Sequence, residues 1–247
     1  AASDVYKRQC ERTVNAMHAC LLKVPWSGSG KGLNWCLHGF TKPVSNWCER
    51  VLREQGCLTA EPIYNKVKDF ALEFYSDGQG EVRFAGYSVF STNEHGAYTG
   101  NLLASDGQIE ESIACCLPLE KLTGIREALR AELASIYGNT YTGYLGVDMM
   151  VCRSDKENGY RVHPCVEINM RMNMGVVARL FYDRFVAPGS KGCFAVEYVP
   201  DNETLRARHE QDMHDYPLTV EQGRLASGYL PLVPVTGKSC YRAYVRI

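Results

Sequence analysis

The sequence predicts an α+β fold in two lobes, each built from a β-sheet and helices. Segments with helical spacing alternate along the chain with segments that are typical of antiparallel hairpins. A chain of 247 residues is long enough to bury a sizeable core, as one large domain or as two smaller lobes. Its content of 45% apolar and 22% charged residues is that of an ordinary globular protein.

The first lobe, residues 1–58, is predicted to contain one strand and one helix. The chain opens on AASDVYKRQC without an initiator Met, and apolar helical spacing becomes plausible only around 14–22. We therefore interpret the first nine or so residues as a tail or a junction. The segment 20–26 (CLLKVPW) is typical of a strand, and 44–56 (VSNWCERVLREQG) of a helix that a glycine ends. The segment 57–66, broken by a proline, is interpreted as a connection.

The second lobe, residues 59–247, is predicted to hold the larger sheet, together with a hinge, a metal site and a tail. Its elements follow in chain order: a hairpin at 69–92 about the turn DGQG, a helix at 119–138, a second hairpin at 141–172 about a polar turn, a helix at 176–185, and a loop-rich tail from 188 with short strands. Within that tail, the mixed charge run at 206–215 is typical of a solvated surface.

Composition limits the class of partner. The formal net charge is −1, so no bulk electrostatic attraction draws the chain to nucleic acid or to an anionic membrane. No apolar stretch approaches about 20 residues, and no secretory signal is recognisable. The eleven cysteines are an odd number without C-x-x-C spacing, which favours reduced thiols over a disulfide framework or a zinc site. We therefore expect a cytoplasmic protein with neither nucleic acid nor a membrane as partner.

The stretch LLKVPWSGSGKGLNW places Lys23 in an apolar strand ahead of a loop rich in Ser and Gly. A polyphosphate ligand would explain both features, because it neutralises a buried ammonium and because glycines let backbone N–H groups approach a phosphate. A strand lysine that extends its amine to the surface, ahead of an ordinary turn, explains the stretch equally well. The loop is not a Walker A motif, since Pro25 stands where the first Gly should be and Gly32 replaces the hydroxyl residue.

A second polar group lies in the predicted hairpin at 141–172. Asp148 stands in the apolar run GVDMMV, and Glu167, Asn169 and Arg171 alternate along the next strand, so these three share one face. Such alternation is also common on a solvent-exposed strand, but an unpaired carboxylate among apolar neighbours is costly. Two carboxylates and an amide oxygen suit Mg²⁺, and an arginine beside them suits a transferred phosphoryl group.

In this order, LLKVPWSGSGKGL, AEP, GVDMMV and VEINMR resemble the ATP-grasp superfamily of carboxylate–amine and carboxylate–thiol ligases. The resemblance covers residues 20–180, and E-x-N-x-R after a strand aspartate is its most specific part. It implies an ATP-grasp fold in which two sheet-plus-helix lobes grip a nucleotide. Relatives normally carry another α/β domain before the lysine strand. This chain has almost nothing there, so we expect the ATP-grasp portion of a ligase, an incomplete fragment.

The resemblance implies a role for each matching residue. Lys23 would be a catalytic cation on the α and β phosphates, and Arg171 a second one on the transferred phosphate. Glu61 and Ile63 would lie in the hinge beside the adenine, and Asp69 would bind the ribose hydroxyls unless it only starts its strand. The phosphate lid would consist of Ser27, Gly28, Ser29, Gly30, Lys31 and Gly32. Two Mg²⁺ ions, or Mn²⁺ in their place, would be held by Asp148, Glu167 and Asn169.

The implied activity is that of an ATP-dependent ligase. ATP would phosphorylate a small-molecule or peptide carboxylate, and an amine or a thiol would attack the acyl phosphate. Two alternatives stay open, a kinase of the same fold that phosphorylates a hydroxyl and a nucleotide-binding fragment without turnover. No motif identifies the carboxylate, the nucleophile or the oligomeric state. A shared nucleotide requires Lys23 and the carboxylates to meet at one cleft, with Glu61 at its far, adenine end.

Overall fold

A computed structural model describes residues 2–27, 32–93, 96–154 and 159–247. The chain divides into a small unit, Ala1–Asn65 with Asn93–Tyr98, and a large unit, Lys66–Thr92 with Thr99–Ile247. Among the described residues, no helix is both long enough and apolar enough to cross a membrane. All eleven cysteines are free thiols. The combination of antiparallel sheets with helices confirms the predicted α+β class.

The small unit packs two helices on a three-stranded sheet. Its elements are α1 (Ala2–Met17), β1 (Cys20–Lys23), β2 (Leu33–Cys36), α2 (Lys42–Gln55) and β3 (Thr59–Pro62), and its strand order is β2-β1-β3. Cys20 and Leu22 point from β1 into a core that both helices complete. As predicted, α2 ends at Gly56, whose φ of 77° lies in the left-handed region that glycine favours.

Two segments of the small unit differ from the sequence analysis. Residues 2–9 of the segment interpreted as a tail lie in α1. Among the residues of this helix whose burial is described, only Cys10 and Val14 are buried, which is why the sequence did not reveal it. The segment 57–66 is not only a connection, because it contains β3. That strand joins the small unit, although it was placed in the second lobe, since its backbone pairs with β1.

The large unit is built on an eight-stranded sheet. Its elements are β4 (Lys66–Asp77), β5 (Val82–Thr92), β6 (Tyr98–Leu103), α3 (Asp106–Ala114), α4 (Leu119–Tyr137), β7 (Thr142–Arg153), β8 (Tyr160–Asn169), α5 (Met174–Phe185), β9 (Gly192–Tyr198), α6 (Asn202–Asp215), β10 (Thr219–Glu221), β11 (Arg224–Ser227), β12 (Tyr229–Pro231) and β13 (Tyr241–Arg246). The strand order is β12-β13-β9-β6-β5-β4-β7-β8, and β10 pairs with β11 separately. Both predicted hairpins and both predicted helices are present.

The side chains of strand β4 alternate between an apolar face and a polar face of the large sheet. Phe70, Leu72 and Phe74 are fully buried in the core that α3 and α4 cover. Asp69 and Glu73 alternate with them and therefore point to the opposite face. Helix α5 packs against β4, β5 and β7. The apolar face supplies the large unit's main core, and the polar face carries the candidate site described below.

The charge run at 206–215 is not only a solvated surface, as the sequence analysis expected, because it forms most of α6. The carboxylate of Asp201 caps this helix by accepting the backbone N–H of Thr204 at 2.9 Å. Leu205 is the only buried residue of α6, so no apolar periodicity predicted the helix. Asp212 of α6 accepts a hydrogen bond from Arg242 of β13 at 2.6 Å, which ties the helix to the sheet.

From its contacts, we expect the guanidinium of Arg242 to contribute strongly to the stability of the fold. Its side chain is 6% exposed, donates to Glu197 at 2.7 Å as well as to Asp212, and lies 4.7 Å from the ring centre of Tyr244. We expect R242A to lower the free energy of unfolding by about 3–5 kcal/mol, because a buried charge network loses its central cation. Urea unfolding followed by circular dichroism measures this loss.

A matched control is R206A on α6, the helix that Arg242 contacts through Asp212. Arg206 pairs with Glu210 at 3.6 Å on an exposed surface, where its side chain is 54% exposed. Exposed ion pairs contribute about 1 kcal/mol or less, so this variant should stay close to wild type. Equal losses in the two variants would contradict the role assigned to Arg242.

Candidate functional site

Lys23, the lysine predicted to bind phosphate, is the last residue of β1 and forms an ion pair with Glu61 of β3. Lys23 Nζ lies 2.6 Å from Glu61 Oε2, and the two side chains are 24% and 36% exposed. Because Leu21 is the register partner of Glu61, the residue two further along β1 reaches it on the same face. The expected separation of Lys23 from Glu61 is therefore wrong. Ile63 directly follows β3 and is half-buried.

The loop between β1 and β2 is closed at its base. The backbone N–H of Val24 donates to the carbonyl of Gly32 at 3.0 Å, and the hydroxyl of Ser27 donates to the carbonyl of Val24 at 3.0 Å. Gly32 has φ of 74°, and a Cβ there would press on Ser27 and Val24. The remaining predicted lid residues lie outside the described part of the chain: Gly28, Ser29, Gly30 and Lys31.

The predicted metal ligands lie together on β7 and β8. Asp148 is the register partner of Glu167, and Gly146 that of Asn169. Asn169 Nδ2 donates to Asp148 Oδ2 at 3.1 Å, and Arg171 Nη2 donates to Asn169 Oδ1 at 3.0 Å. Glu167 and Arg171 are exposed, whereas Asp148 and Asn169 are half-buried. The structure thus brings two carboxylates, one amide and one guanidinium to the same end of this hairpin.

The carboxyl of Asp148 is in an unfavourable place for a negative charge. Burial and then the charge of Glu167 raise the pKa of Asp148 to about 6, with Asp69 adding to the effect. The hydrogen bond from Asn169 and the charge of Arg171 act in the opposite direction. A carboxylate whose charge is disfavoured by burial and by a neighbouring acid gains from a bound cation.

The donor set fits a hard cation on one condition. Within the described ranges, no group of three or more His, Cys, Asp and Glu side chains is arranged to hold a metal ion. A cation between Asp148 and Glu167 would therefore rely on the amide oxygen of Asn169 as a third protein ligand. That amide now turns its nitrogen to Asp148, so it must rotate to present Oδ1.

Asp69 lies on the same sheet face, one strand further in. Its register partner on β7 is Met150, two residues from Asp148. Lys66 Nζ lies 2.5 Å from Asp69 Oδ2. β4 already begins at Lys66, so Asp69 does not merely start the strand, the alternative that the sequence left open. Its place beside Asp148 leaves the ribose role a prediction.

The sequence analysis missed a second buried acid on this face, Glu73. It is 1% exposed, and its register partner on β7 is Gly146. Asn173 Nδ2 donates to Glu73 Oε2 at 2.8 Å. Burial raises the pKa of Glu73 to about 8 against this hydrogen bond, and the charge of Asp148 adds to the increase. A signal was present, because Glu73 stands alone in the apolar run FALEFY as Asp148 does in GVDMMV.

The solved structures that are similar to this chain include three that are complexed with a nucleotide. An N5-carboxyaminoimidazole synthetase from Staphylococcus aureus complexed with ADP is 13% identical, with a TM-score of 0.51 over 91% of this chain and 56% of that chain. A carboxyaminoimidazole ribonucleotide synthase from Aspergillus clavatus complexed with ATP is 12% identical, with a TM-score of 0.55 over 98% of this chain and 61% of that chain. The biotin carboxylase domain of Hydrogenobacter thermophilus 2-oxoglutarate carboxylase, complexed with MgADP, ADP and bicarbonate, is 12% identical. Its TM-score is 0.52 over 97% of this chain and 56% of that chain.

These three proteins are ATP-grasp enzymes, and the likeness confirms the predicted ATP-grasp fold. The chain spans 56–61% of the length of the structures that it matches. No protein-family model and no curated protein matches the sequence. At 12–13% identity, the comparisons show the fold alone.

The buried carboxyl of Glu73 predicts a pH dependence of stability. Its pKa of about 8 in the folded state lies above the ordinary value of 4.5, so between these values only the folded state keeps the proton. The stability from this group is complete below pH 4.5 and is lost as the pH rises to about 8. E73Q cannot ionise, and we expect it to gain stability relative to wild type across this interval in urea unfolding.

E127Q on α4 is a control with the opposite sign. Hydrogen bonds from Arg130 and Arg126 hold the pKa of the exposed Glu127 below its ordinary value. Wild type therefore gains stability from this group only as the pH rises to about 4.5, where the group becomes ionised in both states. From pH 4.5 to pH 8, E127Q should be slightly less stable than wild type by a nearly constant amount. If the difference between E73Q and wild type does not change from pH 4.5 to pH 8, Glu73 is not a protonated acid at neutral pH.

Proposed function

We propose that the chain binds ATP with Mg²⁺ and transfers the γ-phosphoryl group to a carboxylate, as the first step of an ATP-dependent ligase reaction. The observation that carries this proposal is the opposed pair Asp148 and Glu167, with the amide of Asn169 and the guanidinium of Arg171 beside it. The ATP-grasp fold supports a nucleotide as the ligand, since the three similar structures are complexed with ADP, ATP or MgADP. We also propose that the protein is located in the cytoplasm, as the sequence analysis expects.

In the proposed reaction, a carboxylate oxygen attacks the γ-phosphorus, the bond to the bridging oxygen breaks, and ADP leaves. An amine or a thiol then attacks the acyl carbon and gives up its proton, while phosphate leaves with the electrons of the C–O bond. When bound, Mg²⁺ supplies neutralisation of phosphate charge. Arg171 would bind the oxygens of the transferred group, and the oxygens of Asp148, Glu167 and Asn169 would hold the cation.

Lys23 would contribute a second cation, which the α and β phosphates would take from Glu61. The ion pair keeps the ammonium neutralised and close to the strand end before a ligand arrives. We propose further that Lys23 and residues 27–32 bind the phosphates of the nucleotide, that Ile63 binds the adenine and that Asp69 binds the ribose.

Phosphate release tests the reaction. The chain is incubated with ATP and Mg²⁺ together with small carboxylic acids, amines and thiols. Bicarbonate is the first acceptor to try, because one similar structure is complexed with it. Release that depends on both a carboxylate and a nucleophile supports the ligase. A stable phosphorylated alcohol would show a kinase instead, and nucleotide binding without any turnover would contradict an active ligase.

K23A should weaken nucleotide binding. Loss of a charge-assisted hydrogen bond predicts a decrease of about 1.5–3 kcal/mol in the free energy of ATP binding, which calorimetry measures. The matched control is K7A in the same unit, because Lys7 pairs with Glu49 at 2.7 Å and is 30% exposed, much as Lys23 is. Both variants lose an ion pair, but only K23A should lose affinity. Equal affinities would remove Lys23 from the nucleotide site.

Binding should also depend on the metal. ATP with Mg²⁺ is expected to raise the melting temperature, since a ligand that binds the folded state stabilises it by mass action. E167Q should lose most of the Mg²⁺-dependent part of this shift at unchanged baseline stability, whereas E221Q, on the exposed strand β10, should retain it. An equal shift in the presence of EDTA would exclude the metal site.

A further inference from the structure

We infer that Glu73 is a positioning residue for the candidate cation and phosphate site, acting through Asn173 on the connection between β8 and α5. This connection begins after Asn169 and carries Arg171. The inference rests on the proposed function for what Asn169 and Arg171 bind. The contacts that fix the connection stand independently of that function.

Asn173 uses its one amide group at two places. Its Nδ2 donates to Glu73 Oε2 at 2.8 Å, while its Oδ1 accepts the backbone N–H of Val176 at 2.9 Å and so caps α5. The amide cannot rotate without losing both hydrogen bonds, because nitrogen and oxygen would exchange places. Glu73 therefore sets the orientation of the residue from which α5 starts.

Two glycines enclose the carboxyl of Glu73. Gly146 is its register partner on β7, and a Cβ on that glycine would collide with Glu73 Oε2 and Asn173 Nδ2. A Cβ on Gly175, in the first turn of α5, would collide with Glu73 Oε1 and with Ser88. Because real side chains do not approach so closely, the strand, the carboxyl and the helix start are in contact without spare room.

The connection is thereby held at both ends. At its start, Asn169 pairs with Gly146, the glycine that touches Glu73. At its end, Asn173 is bound to Glu73 itself. Only three residues lie between these two points, and Arg171 is the middle one, with its backbone N–H donating to the carbonyl of Asn169 at 3.0 Å. A displacement of Asn173 is therefore transmitted to Arg171 and to the amide of Asn169.

Helix capping alone does not require an acid at this position. The bond from Val176 to Asn173 Oδ1 caps α5, and a leucine at position 73 would fill similar space. Such a leucine would leave Asn173 Nδ2 without its acceptor in a partly buried place. Unlike leucine, the carboxyl of Glu73 accepts the hydrogen bond that keeps Asn173 Nδ2 turned toward β4. Glutamine at position 73 would preserve this orientation, because its side-chain oxygen also accepts a hydrogen bond.

The first measurement follows hydrogen exchange of backbone amides in the ligand-free chain. In E73L, the peptide that covers 169–178 should exchange about tenfold faster, the change expected from one lost hydrogen bond. In E73Q it should stay within about twofold of wild type, and peptides from β9 and β13 should be unchanged in both. Unchanged exchange at 169–178 in E73L would overturn the inference. If E73L does not fold, N173S replaces it, because serine caps the helix but lacks the Nδ2 donor.

The second measurement is the affinity for MgADP and for metal-free ADP. E73L should bind MgADP about tenfold more weakly and metal-free ADP nearly as well as wild type, and E73Q should restore the MgADP affinity. Faster exchange with an unchanged MgADP affinity would overturn the positioning role. A wild-type chain that binds no MgADP would contradict the proposed function, and the exchange result would then decide whether Glu73 holds the connection.

Discussion

The hydrogen bond between Glu73 and Asn173 is the contact on which the arrangement of the large unit's polar face depends. It joins strand β4 to Asn173, the N-cap residue of α5, across a narrow gap that is lined by two glycines. The opposite face of the same strand is filled by Phe70, Leu72 and Phe74. One strand therefore serves both purposes, since alternate side chains build the core on one side and fix the candidate site on the other.

Four acidic side chains lie close together on the polar face. Asp69, Glu73 and Asp148 occupy neighbouring positions on β4 and β7, and Glu167 follows on β8. The pKa values of Glu73 and Asp148 are raised, first by burial and then by acidic neighbours. Because the negative charge of these carboxylates is disfavoured, a bound cation would lower their free energy. This is the physical basis of the proposed divalent-ion site.

Elements with strong local signals were predictable from the sequence. The hairpin β4–β5 has a glycine-rich turn, and α2 has a terminal glycine. Helices α1 and α6 were missed because few of their residues are buried: Cys10 and Val14 in α1, among the residues whose burial is described, and Leu205 in α6. Asp148 was found as a lone acid in an apolar run, and Glu73 carried the same signal. The contact of Lys23 with Glu61 was out of reach, because it depends on the strand order β2-β1-β3 and not on local sequence.

The location of β8 at the end of the large sheet affects how the protein avoids aggregation. Edge strands expose unpaired backbone groups, and such edges recruit strands from other chains. Both edge strands of this sheet contain a proline, Pro164 in β8 and Pro231 in β12, and proline has no N–H to offer a neighbour. Pro164 also falls where the pairing of β8 with β7 shifts register. The edge that exposes Glu167 is thus accessible to small ligands from solvent and poorly suited to pairing with another strand.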